Sequence, residues 1–195
     1  MGEMYKNGNS YAKQSYAEKH ELTGLHYNNA FFKVVDEKKK WISEQNYMMV
    51  ALDIEHFKLF NKLYGRKEGD RLLVYISDCL KNLQSKNGAV AGYIGGDNFG
   101  ILMPKRMELL EKLRLEIVEG IKCINNTMGF LPAFGVYIID DNTVPAIAMY
   151  DKATIALSHV IGNYTKRVCE YDSDMTGKLE EELKVLSDIQ EGIDK

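Results

Sequence analysis

The chain predicts an α+β fold, with helices flanking a central mixed, mostly antiparallel sheet. Three observations carry that prediction. Residues 46–54, NYMMVALDI, are an almost unbroken apolar run, the pattern of a strand buried on both faces. Residues 89–94 and 99–103 are two more apolar runs, joined through Gly95-Gly96-Asp97-Asn98, and such a short Gly-rich joint signals a hairpin. Around these runs, apolar residues recur every three or four positions in several segments, as they do in amphipathic helices packed on a sheet.

Taken in order, residues 1–17 are polar, rich in Asn, Ser, Tyr and Lys, and read as an extension outside the folded unit. Phe31, Val34, Val35, Trp41 and Ile42 predict a helix over about 28–44. After the strand at 46–54, Phe57, Lys58 and Asn61 fall within one helical turn. Leu73, Ile76, Leu80 and Leu83 predict a helix over about 67–83, ahead of the hairpin. Leu110, Leu113, Ile117 and Ile121 line one face of a helix over about 106–123, and residues 130–139 read as a strand, with a further helix and strand to follow. From Met175, apolar Leu179, Leu183, Leu186, Ile189 and Ile193 fall at intervals of three and four, facing a side rich in Glu and Lys, so the chain ends in an amphipathic helix.

Composition bounds the function. At 195 residues and 45% hydrophobic content the chain supports one domain of ordinary size plus an appendage. A net charge of −3 gives no general basic footprint for a nucleic acid polymer. Cys79, Cys123 and Cys169 are widely spaced and match no metal-ligand pattern. Without a signal peptide or long apolar span, they read as reduced thiols of a cytoplasmic protein with no membrane span. The histidines do not cluster, and His20 and His26 read as surface residues.

The hairpin joint carries the chemistry. A glycine pair at a tip lets a ligand approach the backbone, and Asp97 presents a charge where the chain turns. Asp53 ends the buried strand, where a carboxylate is costly unless solvated, paired or bound to a metal. If the two strands are neighbours, the two carboxylates share one sheet edge. That suits Mg²⁺, which takes oxygen ligands and leaves other positions to water and substrate phosphates. The other reading of each Asp is a turn residue or a helix cap.

These residues belong to a longer pattern that resembles the GGDEF family, the diguanylate cyclases. Glu21-Leu22-Thr23-Gly24-Leu25 followed by Asn28 is similar to the family's D-x-L-T-G-L-x-N opening. Asp53-Ile54-Glu55-His56-Phe57-Lys58, then Asn61, Gly65, Gly69 and Asp70, follows its D-I-D-x-F-K-x-x-N-x-x-x-G-x-x-x-G-D block at every interval. Phe134-Gly135-Val136 fits the later strand and Asp151-Lys152-Ala153 the start of the last helix, so the similarity covers about residues 20–171. The resemblance implies a nucleotide cyclase or polymerase-palm-like sheet over residues 18–172, with 173–195 as a linker helix. It also implies Mg²⁺ (or Mn²⁺) held by Asp53, Asp97 and the Ile54 carbonyl, Asp53 and Asp97 being the catalytic residues of an active copy. GTP or another guanine nucleotide would be bound by Phe57, Lys58, Asn61, Asp70 and Gly96. Lys58 would contact phosphate, and Asn61 and Asp70 would read the guanine edge. Phe57 as plain core, Lys58 as a solvated charge and Asp70 as an N-cap are the competing readings. In the family, two facing domains each bring one GTP, and each ribose 3′-hydroxyl attacks the other's α-phosphate.

Departures from the pattern redirect that expectation. The signature reads Gly-Gly-Asp-Asn-Phe, with Asn98 where active members carry Glu; an amide removes a negative charge and a proton acceptor. In the last helix, ungapped alignment puts Ser158 and Gly162 where the family has a Lys and an Arg for the triphosphate, and the spacing of Lys166 and Arg167 argues against their compensating. Lys86 and Ala89 stand where product-inhibited members carry R-x-x-D. Tyr171-Asp172 and Met175 with the terminal helix are similar to the linker that joins such domains to an EAL phosphodiesterase. The expectation is therefore a degenerate GGDEF domain of a bacterial cyclic di-GMP signalling protein, excised from a GGDEF-EAL chain, which binds GTP and Mg²⁺ and regulates the attached phosphodiesterase. A weakly active cyclase working as a homodimer and a purely structural dimerisation domain are the alternatives.

Overall fold

In the computed structural model, residues 18–42, 46–124 and 129–177 are described. The elements are β1 (His26–Tyr27), α1 (Asn29–Lys38) with a 3₁₀ turn at Lys39–Trp41, β2 (Tyr47–Ile54), α2 (Phe57–Tyr64) and α3 (Arg66–Asn87). They continue as β3 (Val90–Gly95), β4 (Asn98–Pro104), α4 (Met107–Cys123), β5 (Pro132–Ile138), α5 (Ala146–Ser158) and β6 (Val168–Glu170). One six-stranded sheet has the order β1-β3-β4-β2-β5-β6. The edge pairs β1–β3 and β5–β6 are parallel and the three inner pairs antiparallel, so the sheet is mixed and mostly antiparallel, as its apolar runs predict.

Strand β2 lies at the centre and buries both faces, in keeping with its unbroken apolar run. Met48, Val50, Leu52 and Ile54 point into a core shared with α3 and α4, and Met49 and Ala51 into a second core shared with α1 and α5, as the two-residue alternation of a strand requires. Phe31 of α1 lies flat across the paired Gly92 and Gly100, where an added Cβ would come within 2.3 and 2.5 Å of its ring. The two strands therefore carry glycines where the aromatic ring needs the space.

Several boundaries differ from the sequence pattern. The first helix ends at Lys38 and tightens to 3₁₀ geometry before Ile42, rather than running to 44. The last helix begins at Ala146 instead of Asp151, behind Pro145, with Asp36 of α1 accepting from the Ala146 amide at 3.0 Å. That long-range cap has no local sequence signal. Strand β1 has no sequence signal of its own, because two residues hold too little pattern. His26 belongs to that strand and His20 packs 4.2 Å from the Tyr93 ring, so neither is a plain surface residue. Residues 173–177 are helical, while the rest of the predicted terminal helix and the 1–17 extension lie outside the described residues. No helix among the described residues is long and apolar enough to cross a membrane.

Candidate nucleotide and metal site

The central position of β2 builds the site. Leu52 pairs with Phe99, so the end of β2, at Asp53 and Ile54, and the tip of the β3–β4 hairpin reach the same sheet edge. Gly95 pairs with Asn98, which leaves Gly96 and Asp97 as the loop. Gly95 and Gly96 have φ of +139° and +63°, values that L side chains rarely adopt, so both glycines are needed by the backbone as well as by any ligand. The Tyr93 hydroxyl donates to the Gly96 carbonyl at 2.9 Å and pins the tip.

Asp53 and Asp97 face each other closely enough to share a hydrogen bond. Burial, then the Asp97 charge, then the Glu55 charge push the Asp53 carboxyl up to about 6, partly offset by Arg167. Burial raises Asp97 as well, and the nearby Lys58 ammonium counters it. Two half-buried carboxylates that both resist ionisation are an arrangement a cation relieves. No group of three or more His, Cys, Asp or Glu suited to a metal occurs among the described residues. Asp53, Asp97 and the Ile54 carbonyl offer oxygen alone, the donor set of a hard cation that keeps water and phosphate in its remaining positions.

Beyond β2 the chain turns through Glu55 and His56, the latter left-handed at φ +66°, and enters α2. Phe57 is 6% exposed and stacks on Phe60 with ring centroids 6.3 Å apart. It is therefore core beneath the site, in line with the plainer of its two readings. Lys58 is exposed. Asn61 lies against the buried Gly69 of α3, where a Cβ would come within 1.9 Å of its Oδ1, and this oxygen is buried with no hydrogen-bond partner. An orphaned amide oxygen is uncommon enough to call for an explanation, and a ligand donor supplies one. Asp70 is exposed and sits inside α3, which starts at Arg66 with Gly65 before it. The N-cap role is thereby ruled out. Asp70 also raises the pKa of the Tyr93 hydroxyl through its charge, which puts it on the hairpin's side of α3.

Glu55 and Arg167, to which the sequence pattern assigns no role here, complete this edge. Arg167 is buried and its Nη1 pairs with Glu55 Oε2 at 2.5 Å, while the other Glu55 oxygen accepts from the Gly162 amide at 2.9 Å. The partners are 112 residues apart in the chain, and no local pattern links them. Arg167 is thus turned inward, its guanidinium bonded to groups of the fold itself. Ser158 ends α5 with its hydroxyl on the Ile155 carbonyl at 2.7 Å, and Gly162 turns the following loop at φ +79°. At the far end of α3, Lys86 is exposed while Ala89 is buried.

The profile of the family described as "Diguanylate cyclase, GGDEF domain" matches residues 18–129. The chain is 28% identical over 153 residues to diguanylate cyclase DgcP of Escherichia coli K12, covering 74% of this chain and 44% of that protein. It is 21% identical over 157 residues to the bifunctional diguanylate cyclase/cyclic di-GMP phosphodiesterase MucR of Pseudomonas aeruginosa, covering 78% of this chain and 23% of MucR. The chain thus spans less than half the length of either relative. Among solved structures, the coiled coil and GGDEF domain of DgcB from Caulobacter crescentus, in complex with c-di-GMP, superposes with a TM-score of 0.63 at 20% identity, over 82% of this chain and 88% of that one. At that identity the likeness speaks for the fold.

Proposed function

The chain belongs to the GGDEF domain family of diguanylate cyclases, and from that membership we propose that it is a degenerate copy that binds GTP with Mg²⁺ (or Mn²⁺) in cyclic di-GMP signalling and regulates an attached EAL phosphodiesterase domain. The observation that carries this reading is the fate of the cations. Arg167, which bonds to the Asn163 carbonyl next to Gly162, is consumed by Glu55 inside the fold, whereas Asp53 and Asp97 act on each other and the Asn61 Oδ1 is buried without a partner. A site built this way keeps metal and base recognition and loses charge-assisted contacts to phosphate, worth roughly 1.5 to 3 kcal/mol each.

Within this reading, Asp53, Asp97 and the Ile54 carbonyl would hold the cation, which when bound would supply positive charge against the nucleotide phosphates. Asn61 and Asp70 orient the guanine, and Lys58 meets the phosphates. Asn98 offers an amide where a carboxylate would take up a proton. MucR of Pseudomonas aeruginosa joins both activities in one protein, which supports the attached phosphodiesterase, for which residues 173–195 would be the linker after a GGDEF unit at 18–172. The protein would then work in a bacterial cytoplasm.

Calorimetry with GTP and Mg²⁺ tests the proposal, with ATP as the control. Weak GTP binding without cyclic di-GMP formation is the expected result, and no binding at millimolar GTP would refute it, leaving a structural dimerisation domain. The intact Asp53–Asp97 pair favours one second reading, a weakly active cyclase in which two facing copies condense two GTP. Cyclic di-GMP above a blank, at high protein concentration, would establish that reading instead.

A further inference from the structure

Arg167 is bonded through Nε, Nη1 and Nη2 alike. Beside Glu55, its Nη2 donates to the Leu131 carbonyl at 2.9 Å, its Nε to the Pro132 carbonyl at 3.2 Å and its Nη1 to the Asn163 carbonyl at 3.2 Å. The Glu55 amide donates to the Leu131 carbonyl at 3.1 Å as well. One guanidinium therefore ties together three segments, namely the turn after β2, the entry to β5 and the loop from α5 to β6. A buried ion pair is often no more stabilising than apolar residues of the same volume, so stability alone is a poor reason for the arrangement. Geometry is a better one. Glu55 is the residue between the metal-facing end of β2 and the left-handed turn that launches α2, which carries Lys58 and Asn61.

We propose that Arg167 is a positioning residue that clamps Glu55 and so fixes the angle at which α2 leaves β2, holding the metal-facing carboxylate and the nucleotide-facing side of α2 in one geometry. The link to ligands rests on the reading under Proposed function; the clamp itself does not.

The test uses the full chain with Glu55→Gln/Arg167→Met, which removes both charges together and so avoids stranding one buried charge, and with Arg167→Lys, which keeps the charge without the planar fork. Amide hydrogen exchange over residues 55–61 is compared with that of β4, and Mn²⁺ binding is followed by its electron paramagnetic resonance signal, at a temperature where circular dichroism shows each protein folded. In both variants we expect exchange at 55–61 to speed at least about tenfold while β4 is unchanged, and Mn²⁺ affinity to fall at least about fivefold. Wild-type exchange at 55–61 in a folded double variant overturns the clamp. Faster exchange with unchanged Mn²⁺ affinity overturns the positioning role, since a merely structural residue would behave that way. Should the wild-type chain take up no Mn²⁺, the metal site under Proposed function fails, and the exchange comparison alone decides the clamp.

Discussion

Gly69→Ala separates base recognition from stability. In α3 this position has ordinary helical geometry, so alanine gains about 1 kcal/mol of helix propensity. Against that, the new methyl would lie 1.9 Å from Asn61 Oδ1, 2.9 Å from its Cγ and 3.2 Å from Phe57 Cζ. Overpacking of this kind costs about 1–3 kcal/mol, so the fold should stay within about 2 kcal/mol of wild type. The side chain that yields is Asn61, an amide at the half-buried edge, rather than Phe57, whose ring is fixed against Phe60. Rotating the amide away would forfeit up to two of the proposed hydrogen bonds to guanine, at about 0.5–1.5 kcal/mol each. The expected loss is about 2 kcal/mol, close to thirtyfold in GTP affinity. Calorimetry with GTP and ATP, beside a thermal melt, reads both quantities. A Gly69→Ala protein that melts near wild type and binds GTP within twofold of it would refute the role given to Asn61.

Asp70→Ala should weaken GTP binding more than ATP binding, whereas Asp53→Ala should abolish the dependence of nucleotide binding on Mg²⁺; equal losses for GTP and ATP would remove Asp70 from base reading. Asp53 titrates near 6 in the fold against 3.8 for an unperturbed carboxyl. In chelator its contribution should therefore erode stability as pH rises from about 4 to 6 and level off above. Two pKa units equal about 3 kcal/mol, which solvent access to this half-buried group reduces to about 1–2 kcal/mol. Urea denaturation of wild type and Asp53→Asn across that window measures it, and a difference independent of pH would refute it. Arg167→Met alone leaves Glu55 charged and buried, and urea denaturation should report a loss of about 3–5 kcal/mol. Gly92→Ala drives a methyl into Phe31 at 2.3 Å and should lower stability by about 1–3 kcal/mol in the same assay.

The sheet and its long helices were legible because their signals are local and repeated: the apolar run of β2, the 3.6-residue period of α3 and α4, and the glycines of the tip. The closeness of Asp53 to the start of α2 could be read from spacing within one stretch, since a strand, a tight turn and a helix follow one another there, whereas Asp97 reaches the same edge only because β4 pairs with β2. What escaped depends on residues distant in the chain. Asp36 caps α5 across 110 positions, and Arg167 answers Glu55 across 112. The two-residue β1 owes its existence to β3, not to its own sequence. Asp70 was ambiguous for a different reason, because an Asp after a glycine is a common helix start; only the true start at Arg66 decides against it.

Among the described residues the sheet ends on one side in a strand of two residues, with one isolated bridge from His26 to Lys19 beyond it, and on the other in a strand of three. A long open edge invites another chain to add its own strand, the usual route to amyloid-like growth, and such short edges offer almost no ladder to extend. Concentrated solutions of the domain, such as a search for weak turnover demands, should therefore resist fibrillar aggregation. Edges this short favour contact between copies through side chains over a shared backbone ladder.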